Sequence, residues 1–148
     1  MKILVTTSTL KQDLDDPSPE FINNLIDGVA SISPDSEFIY VYPFKRTYPK
    51  LKSNKNISYK PYKYWITSKG HNILDKGLYQ SIKSNKLNFI KIFFLLLSQF
   101  FYTFYLTIKI KPDYIYAHWV FPQAFIASLI SKATKTRYVF TSHGSDIT

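Results

Sequence analysis

The last 38 residues of the chain, KPDYIYAHWVFPQAFIASLISKATKTRYVFTSHGSDIT at 111–148, carry the pattern that decides the fold. The run DYIYA at 113–117 predicts a strand, and the small and apolar residues at 121–134 predict a helix. RYVFT at 137–141 predicts a second strand. Because a helix separates the two strands, we expect them to run parallel in one sheet.

The same alternation continues towards the beginning of the chain. Pro61 interrupts one strand and places it at a sheet edge, and Ser18 followed by Pro19 predicts the start of a helix. Predicted strands lie at 2–7, 37–42 and 57–62, and predicted helices at 18–32, 72–84 and 88–110. The predicted fold class is therefore α/β, a Rossmann-like parallel sheet with flanking helices.

Length and composition narrow the class of protein. The chain has 148 residues and a mass of 17.3 kDa, which is enough for one domain but not for two. It contains no Cys, which excludes disulfide scaffolds, thiolate metal sites and cysteine nucleophiles. Its first residues, MKILVTT, do not resemble a secretory signal, so we expect a cytoplasmic protein.

Two of the three histidines follow predicted strands. Ligands of open parallel sheets bind beyond the carboxyl ends of the strands, where the loops 6–16, 118–123 and 143–148 are expected. His118 and His143 stand at the beginning of the last two loops. They either cap the strands by bonding to backbone groups or form part of a binding site.

Residues 111–148 resemble the end of the N-terminal lobe of family 4 glycosyltransferases, which are two-lobed GT-B enzymes. Three elements match in order: a Pro-Asp-led strand that ends in His118-Trp119, the Phe-Pro-Gln entry to a small-residue helix, and a strand that ends in HGSD at 143–146. The TTS at 6–8 and the helix PEFINNLIDGVA are similar to the family's first loop and helix.

The resemblance implies transfer of a sugar from a nucleotide sugar to an acceptor, with retention at the anomeric carbon. His143 would face the transferred sugar and stabilise charge, and Gly144 would let the backbone approach it. His118 and Trp119 would lie on the acceptor side, although Trp119 also fits a core position, and Asp146 also fits a helix N-cap. The implied substrate-binding residues are Thr7, Ser8, His118, Trp119, Gly144, Ser145 and Asp146.

The sequence also departs from the family pattern. Residues 7–17 contain no glycine, although many members have a Gly-Gly pair in this loop. We find no Gly-rich phosphate loop and no acidic pair with the family spacing. The chain is therefore expected to be a partial N-terminal lobe without the donor-binding C-terminal lobe, inactive until that lobe is supplied in cis or in trans. No cofactor is expected, because the nucleotide sugar is a co-substrate.

The net charge of +9 is concentrated in the middle of the chain. Residues 44–91 carry +11, whereas residues 1–43 carry −5. A basic surface attracts anionic lipid or nucleic acid. Its cations are nearly all Lys, whereas sequence-reading contacts favour Arg, so nucleic acid is not the expected partner. His118, His143 and Asp146 lack the local spacing of a metal site, and no metal is expected.

The predicted helix 88–110 is unusually apolar. Seventeen uncharged residues separate Lys91 from Lys109. One arc of the helix is wholly apolar, and we expect it to cover the sheet; it contains Ile90, Phe93, Phe94, Leu97, Phe100, Phe101, Phe104 and Ile108. The helix either spans a membrane, lies on an anionic membrane or packs against further protein.

The expected setting is synthesis of envelope polysaccharide or glycolipid, with a glycan or lipid-linked acceptor. The protein would then be peripheral on the inner face of the cell membrane, where the basic segment meets anionic lipid. The alternative is a non-catalytic, membrane-attached binding domain of the same fold.

Overall fold

The computed structural model describes residues 1–11, 20–45, 55–67, 70–74 and 78–144. These residues form one sheet of five parallel strands, in the order β3-β2-β1-β4-β5. The strands are β1 (Lys2–Thr6), β2 (Glu37–Pro43), β3 (Ile57–Tyr62), β4 (Tyr114–His118) and β5 (Arg137–Thr141). The predicted fold class is confirmed, and the Pro61 strand β3 lies at an edge as expected.

In the part of the chain that the structure describes, four helices flank this sheet: α1 (Phe21–Ile32), α2 (Leu78–Ser84), α3 (Asn88–Ile110) and α4 (Phe125–Thr134). The helix predicted at 88–110 is confirmed at both ends. The helix predicted to start at residue 72 starts later, at Leu78, and α4 starts at Phe125 because a kinked turn, Val120–Ala124, precedes it. The predicted cap at Ser18 and Pro19 lies outside the described residues.

The strand order creates a switch point between β1 and β4. From β1 the chain moves outward through β2 to β3, and it then returns to the other side of β1 to form β4 and β5. At such a point, the loops at the carboxyl ends of neighbouring strands diverge and leave a crevice. The crevice lies between the loops that follow Thr6 and His118.

The core occupies both faces of the sheet. On one face, Ile22, Ile26 and Ala30 of α1 pack against side chains that include Val5 and Tyr40. Phe21 and Leu25 of the same helix are apolar too, but each is more than a third exposed. On the other face, α3 and α4 cover Leu4, Ile39, Val41, Ile115 and Ala117.

Helix α3 faces the sheet with the side opposite to the one expected. The apolar arc was expected to cover the sheet, and for most of the arc this is wrong, because Phe93, Phe101 and Ile108 are each more than half exposed. Two members of the arc, Phe100 and Phe104, are partly buried and pack against the core beside α4. The residues of α3 that are buried are Leu95, Gln99, Thr103, Leu106 and Thr107. Hydrogen bonds satisfy part of this polar side: Thr107 Oγ1 donates to the Thr103 carbonyl, and Gln99 donates to the Thr6 hydroxyl. Gln99 Oε1 and Thr103 Oγ1 have no partner among the described residues.

Candidate functional site

The carboxyl ends of β1, β4 and β5 bring together side chains that are far apart in sequence. His118 is the last residue of β4, and its register partner in β5 is Thr141, two residues before His143. The loop after β1 begins at Thr7, whose backbone N–H donates to the Val41 carbonyl of β2. The switch point thus brings one His from each of two neighbouring strand ends next to the first loop.

His118 and His143 are in direct contact. His118 Nδ1 lies 3.2 Å from His143 Nε2, a hydrogen bond in which either ring can hold the proton. The two rings stack with their centroids 5.4 Å apart and an interplanar angle of 24°. His118 is 1% exposed, whereas His143 is partly exposed. The pair therefore extends from the interior of the domain to its surface.

Burial keeps His118 uncharged. Loss of solvent, and to a smaller extent the neighbouring His143, lowers the pKa of His118 from 6.5 to about 4. At neutral pH the His118 imidazole is therefore neutral. A neutral ring donates from one nitrogen and accepts at the other, so His118 can hold the His143 ring in a fixed orientation without adding charge.

Aromatic rings enclose His143 from two further directions. Trp119 lies 4.7 Å from it between ring centroids, and Phe21 of α1 lies 4.9 Å from it. Phe21 and Trp119 also meet edge to face at 6.3 Å. Beneath the pair, Tyr116 lies 4.5 Å from His118 and shares a 2.8 Å hydrogen bond with the Thr141 hydroxyl.

The backbone at Trp119 adopts an unusual conformation. Its φ of 84° is rare for a bulky side chain and costs conformational energy. Two hydrogen bonds hold it: the Trp119 backbone N–H donates to the Thr141 carbonyl at 2.9 Å, and the indole N–H donates to the Thr9 hydroxyl at 3.0 Å. Thr9 N–H in turn donates to Thr7 Oγ1 at 3.3 Å, so the loop after β1 is tied to the end of β4.

The predicted site residues that the structure describes are buried, partly exposed or exposed. Thr7 and His118 are buried and support the cluster from beneath. Ser8, Trp119 and His143 are partly exposed at its surface.

Gly144 is exposed and has a φ of 86°, a conformation that favours glycine. Apart from Gly144 and its chain neighbours, none of the described residues has a heavy atom within 4 Å of where a Cβ would stand. Ser145 and Asp146 lie outside the described residues.

Sequence patterns did not single out Phe21, Thr9 and Gln123 as site residues. Thr9 and Gln123 lie in the predicted loops 6–16 and 118–123, and Phe21 is one of several apolar residues of the predicted helix 18–32. Gln123, in the turn after Trp119, is fully buried, and neither polar atom of its side chain has a hydrogen-bond partner among the described residues. Also among the described residues, no group of three or more His, Cys, Asp or Glu side chains is placed to hold a metal ion.

The chain was compared with models of known protein families. The family model described as glycosyl transferase 4-like matches residues 65–148, which is more than half of the chain. The matched region contains α2, α3, β4, α4 and β5, and with them His118, Trp119 and His143. No curated protein matches the chain at a significant level.

Proposed function

Because the chain belongs to the glycosyl transferase 4-like family, we propose that its strand-end cluster takes part in moving a sugar from a nucleotide sugar to a glycan or lipid-linked acceptor. Glycosyl transfer in general follows from the family. The finer assignment is a retaining hexosyl transfer, in which His143 faces the sugar that is transferred.

The single observation that carries this proposal is the bond between His118 and His143. A neutral, buried His118 fixes a partly exposed His143 at the switch point of the sheet. Positive charge develops on the sugar ring in the transition state of glycosyl transfer. A neutral imidazole hydrogen-bonded to a sugar hydroxyl stabilises that state, whereas an imidazolium ion would repel it. We therefore assign His143 to positioning and charge stabilisation and not to nucleophilic attack.

Gly144 supports the same assignment from the backbone. Its missing side chain and the open space around it allow the main chain to approach a sugar next to His143. Trp119 and Ser8 are partly exposed beside it and are assigned to the acceptor side. Thr7 and His118 are assigned to holding these groups in place, since both are buried.

The nucleotide is proposed to bind to a second lobe of a GT-B enzyme, in cis or in trans. In that arrangement the cluster forms the acceptor-side wall of a cleft between two lobes. The proposed setting is polysaccharide or glycolipid synthesis at the cytoplasmic face of a membrane. It is favoured by the excess of lysine, which suits a surface that carries anionic lipid.

Transfer assays with and without a donor-binding lobe test this function. The purified 148-residue chain is incubated with nucleotide sugars and acceptor glycans, alone and fused to a C-terminal lobe from a member of the same family. We expect no transfer and no nucleotide binding by calorimetry for the chain alone, and transfer by the fusion. Transfer by the chain alone would contradict the two-lobe proposal, and an inactive fusion that binds nucleotide would contradict the role of the cluster.

A further inference from the structure

Helix α3 presents a strip of apolar side chains to solvent, densest in its first two turns and continued at Phe101 and Ile108. The strip, here called the outer face of α3, consists of Phe89, Ile90, Phe93, Phe94, Phe101 and Ile108, whose exposed fractions range from 45% to 61%. Phe125 of α4 is also more than half exposed. Contiguous apolar surface of this kind is unusual on a soluble monomer and marks an interaction site.

The opposite side of α3 is more polar than the outer face. Gln99, Thr103 and Thr107 point towards the sheet and are at most 2% exposed. A surface helix of a soluble domain normally turns its apolar stripe inward and its polar residues outward. The polarity of α3 is therefore suited to an apolar environment outside the domain.

Lysines border the outer face at both ends. Lys91 and Lys109 are 18 residues apart, which is about five turns of 3.6 residues, so both lie on the same flank of the helix. Lys91 Nζ lies 5.5 Å from the centre of the Trp65 ring, and Lys109 Nζ lies 5.4 Å from that of Tyr105. Lys91 Nζ also donates to Asn72 Oδ1 at 3.1 Å, and Lys109 Nζ donates to the Tyr105 hydroxyl at 3.0 Å, so both charges are held at the border of the outer face.

The surroundings of the outer face carry almost no negative charge. Residues 78–134 contain six lysines and one acidic residue, Asp113. Asp113 lies beside the first strand, where its carboxylate accepts a hydrogen bond from the Lys2 backbone N–H at 2.7 Å. An apolar strip bordered by cations is complementary to a membrane surface with anionic headgroups.

We propose that α3 lies in the plane of an anionic membrane surface, with its outer face at the boundary between headgroups and acyl chains and with Lys91 and Lys109 at the headgroups. The proposal rests on the membrane setting of the proposed function and names the surface that makes the contact, but this surface is separate from the strand-end cluster, so vesicle binding and sugar transfer can fail independently.

Charge disfavours a second copy of the chain as the occupant. In an antiparallel helix pair, Lys91 of one copy would meet Lys109 of the other, and in a parallel pair each lysine would meet itself. Both arrangements place like charges against each other, and few acidic residues lie nearby to compensate for them. A lipid surface with phosphate groups supplies the missing negative charge.

Contacts with the sheet favour a helix that lies on the membrane over one that crosses it. By length and composition, α3 is long and apolar enough to span a bilayer. In this fold, however, Gln99 Nε2 donates to Thr6 Oγ1 of β1 at 3.2 Å, and Leu95 and Leu106 belong to the core. Spanning would require α3 to leave the sheet, whereas interfacial binding keeps every one of these contacts.

Vesicle sedimentation with the full 148-residue chain tests the proposal. Phosphatidylcholine vesicles are compared with vesicles that also contain phosphatidylglycerol, at low salt and at physiological ionic strength, where the Debye length is about 8 Å. We expect stronger binding to the anionic vesicles and partial release by salt. The paired substitutions Phe93→Ser and Phe101→Ser should weaken binding by about tenfold or more, because both side chains lose their apolar contact with lipid.

Matched variants separate the outer face from general effects of hydrophobicity and charge. Leu25→Ser with Ile32→Ser removes two exposed apolar side chains from α1, on the other face of the sheet, and should leave binding unchanged. Lys91→Gln with Lys109→Gln should weaken binding to anionic vesicles by about tenfold and leave binding to neutral ones unchanged. Lys2→Gln with Lys11→Gln removes the same charge from lysines that already face Glu37 and Glu20, and should have little effect.

Three results would overturn the proposal. The first is equal binding to both kinds of vesicle, and the second is unchanged vesicle binding by the Phe93/Phe101 variant while circular dichroism shows that it is folded. The third is tighter binding to single-stranded nucleic acid than to anionic vesicles. Self-association in lipid-free buffer that the Phe93/Phe101 variant abolishes, together with unchanged vesicle binding, would assign the face to a second copy.

Discussion

Two buried histidines, His71 and His118, have similar immediate surroundings. Their exposed fractions are 2% and 1%. A tyrosine ring lies close to each: Tyr64 is 4.6 Å from His71, and Tyr116 is 4.5 Å from His118, between ring centroids. Burial is the main reason that the pKa of each lies below its ordinary value. By burial and pKa alone, the two residues would be ranked together as candidates for a site.

Their connections to the surface differ. His71 lies among Phe44 and Tyr64, and its Nδ1 has no hydrogen-bond partner among the described residues. His118 Nδ1 is bonded to His143, which is partly exposed beside Gly144 at the end of β5. We conclude that a lowered pKa reports burial, and that the link from a buried group to an exposed one at the switch point is what indicates a site.

The largest expected effect is on the rate of sugar transfer, and it distinguishes the pair of His118 and His143 from the isolated His71. In an active two-lobe enzyme that contains this chain, His143→Ala should lower the rate of sugar transfer by about two to three orders of magnitude, because a preorganised hydrogen bond to the reacting sugar is lost. His71→Asn, the control, should retain the transfer rate, since His71 is not connected to the cluster. Initial rates at saturating donor concentration measure both.

Equal loss of activity in His143→Ala and His71→Asn would contradict the conclusion that only the His118–His143 pair indicates a site. So would full activity of His143→Ala. Thermal unfolding of each variant shows whether a loss of rate comes from a loss of fold.

The next largest effect is on the pH dependence of the free energy of unfolding. The pKa of His118 is about 4 in the folded chain and about 6.5 when the side chain is solvated. Between these values the unfolded chain takes up a proton that the folded chain does not, so stability falls as the pH falls from about 6.5 to 4 and levels off below that. The fall attributable to His118 is roughly 3 kcal/mol at most.

Urea unfolding at several pH values checks this, with His118→Asn as the test variant. Asn keeps a polar group near the position of Nδ1 but does not titrate, so the variant should show a flatter profile between pH 6.5 and 4. His71→Asn should also flatten its profile, because burial depresses the pKa of His71 too. A profile of His118→Asn as steep as that of the unmodified chain would mean that His118 is not held neutral in the fold.

The sequence predicted the fold well where local patterns are strong. The boundaries of α3 and β5 agree with the prediction, because Pro112 stops the helix and Arg137–Thr141 is a short run of strand formers. The positions of His118 and His143 at strand ends were also predictable from the strand pattern. Their contact was not, since it depends on the pairing of β4 with β5.

The orientation of α3 and the place of Phe21 could not be read from periodicity. A hydrophobic arc shows which side of a helix is apolar, but it does not say whether the sheet or an external apolar phase receives that side. For α3 the sheet receives Leu95, Gln99 and Leu106, whereas Phe89, Phe93, Phe94 and Phe101 face outward. Phe21 lies at the first turn of α1, where contact with His143 depends on how the helix docks.

The smallest expected effect tests whether the first loop helps to hold the cluster. Thr9 Oγ1 accepts the indole N–H of Trp119 at 3.0 Å, and no comparable side-chain bond from this loop to His71 is seen among the described residues. Thr9→Val keeps the shape of the side chain but removes the acceptor, so the indole N–H loses its partner and the positive φ of Trp119 loses one restraint. We expect the free energy of unfolding to fall by about 1 kcal/mol, as measured by urea titration at neutral pH. Thr9→Ser keeps the hydroxyl and should stay close to the unmodified chain, so equal losses in the Val and Ser variants would show that the methyl group, and not the hydrogen bond, stabilises this loop.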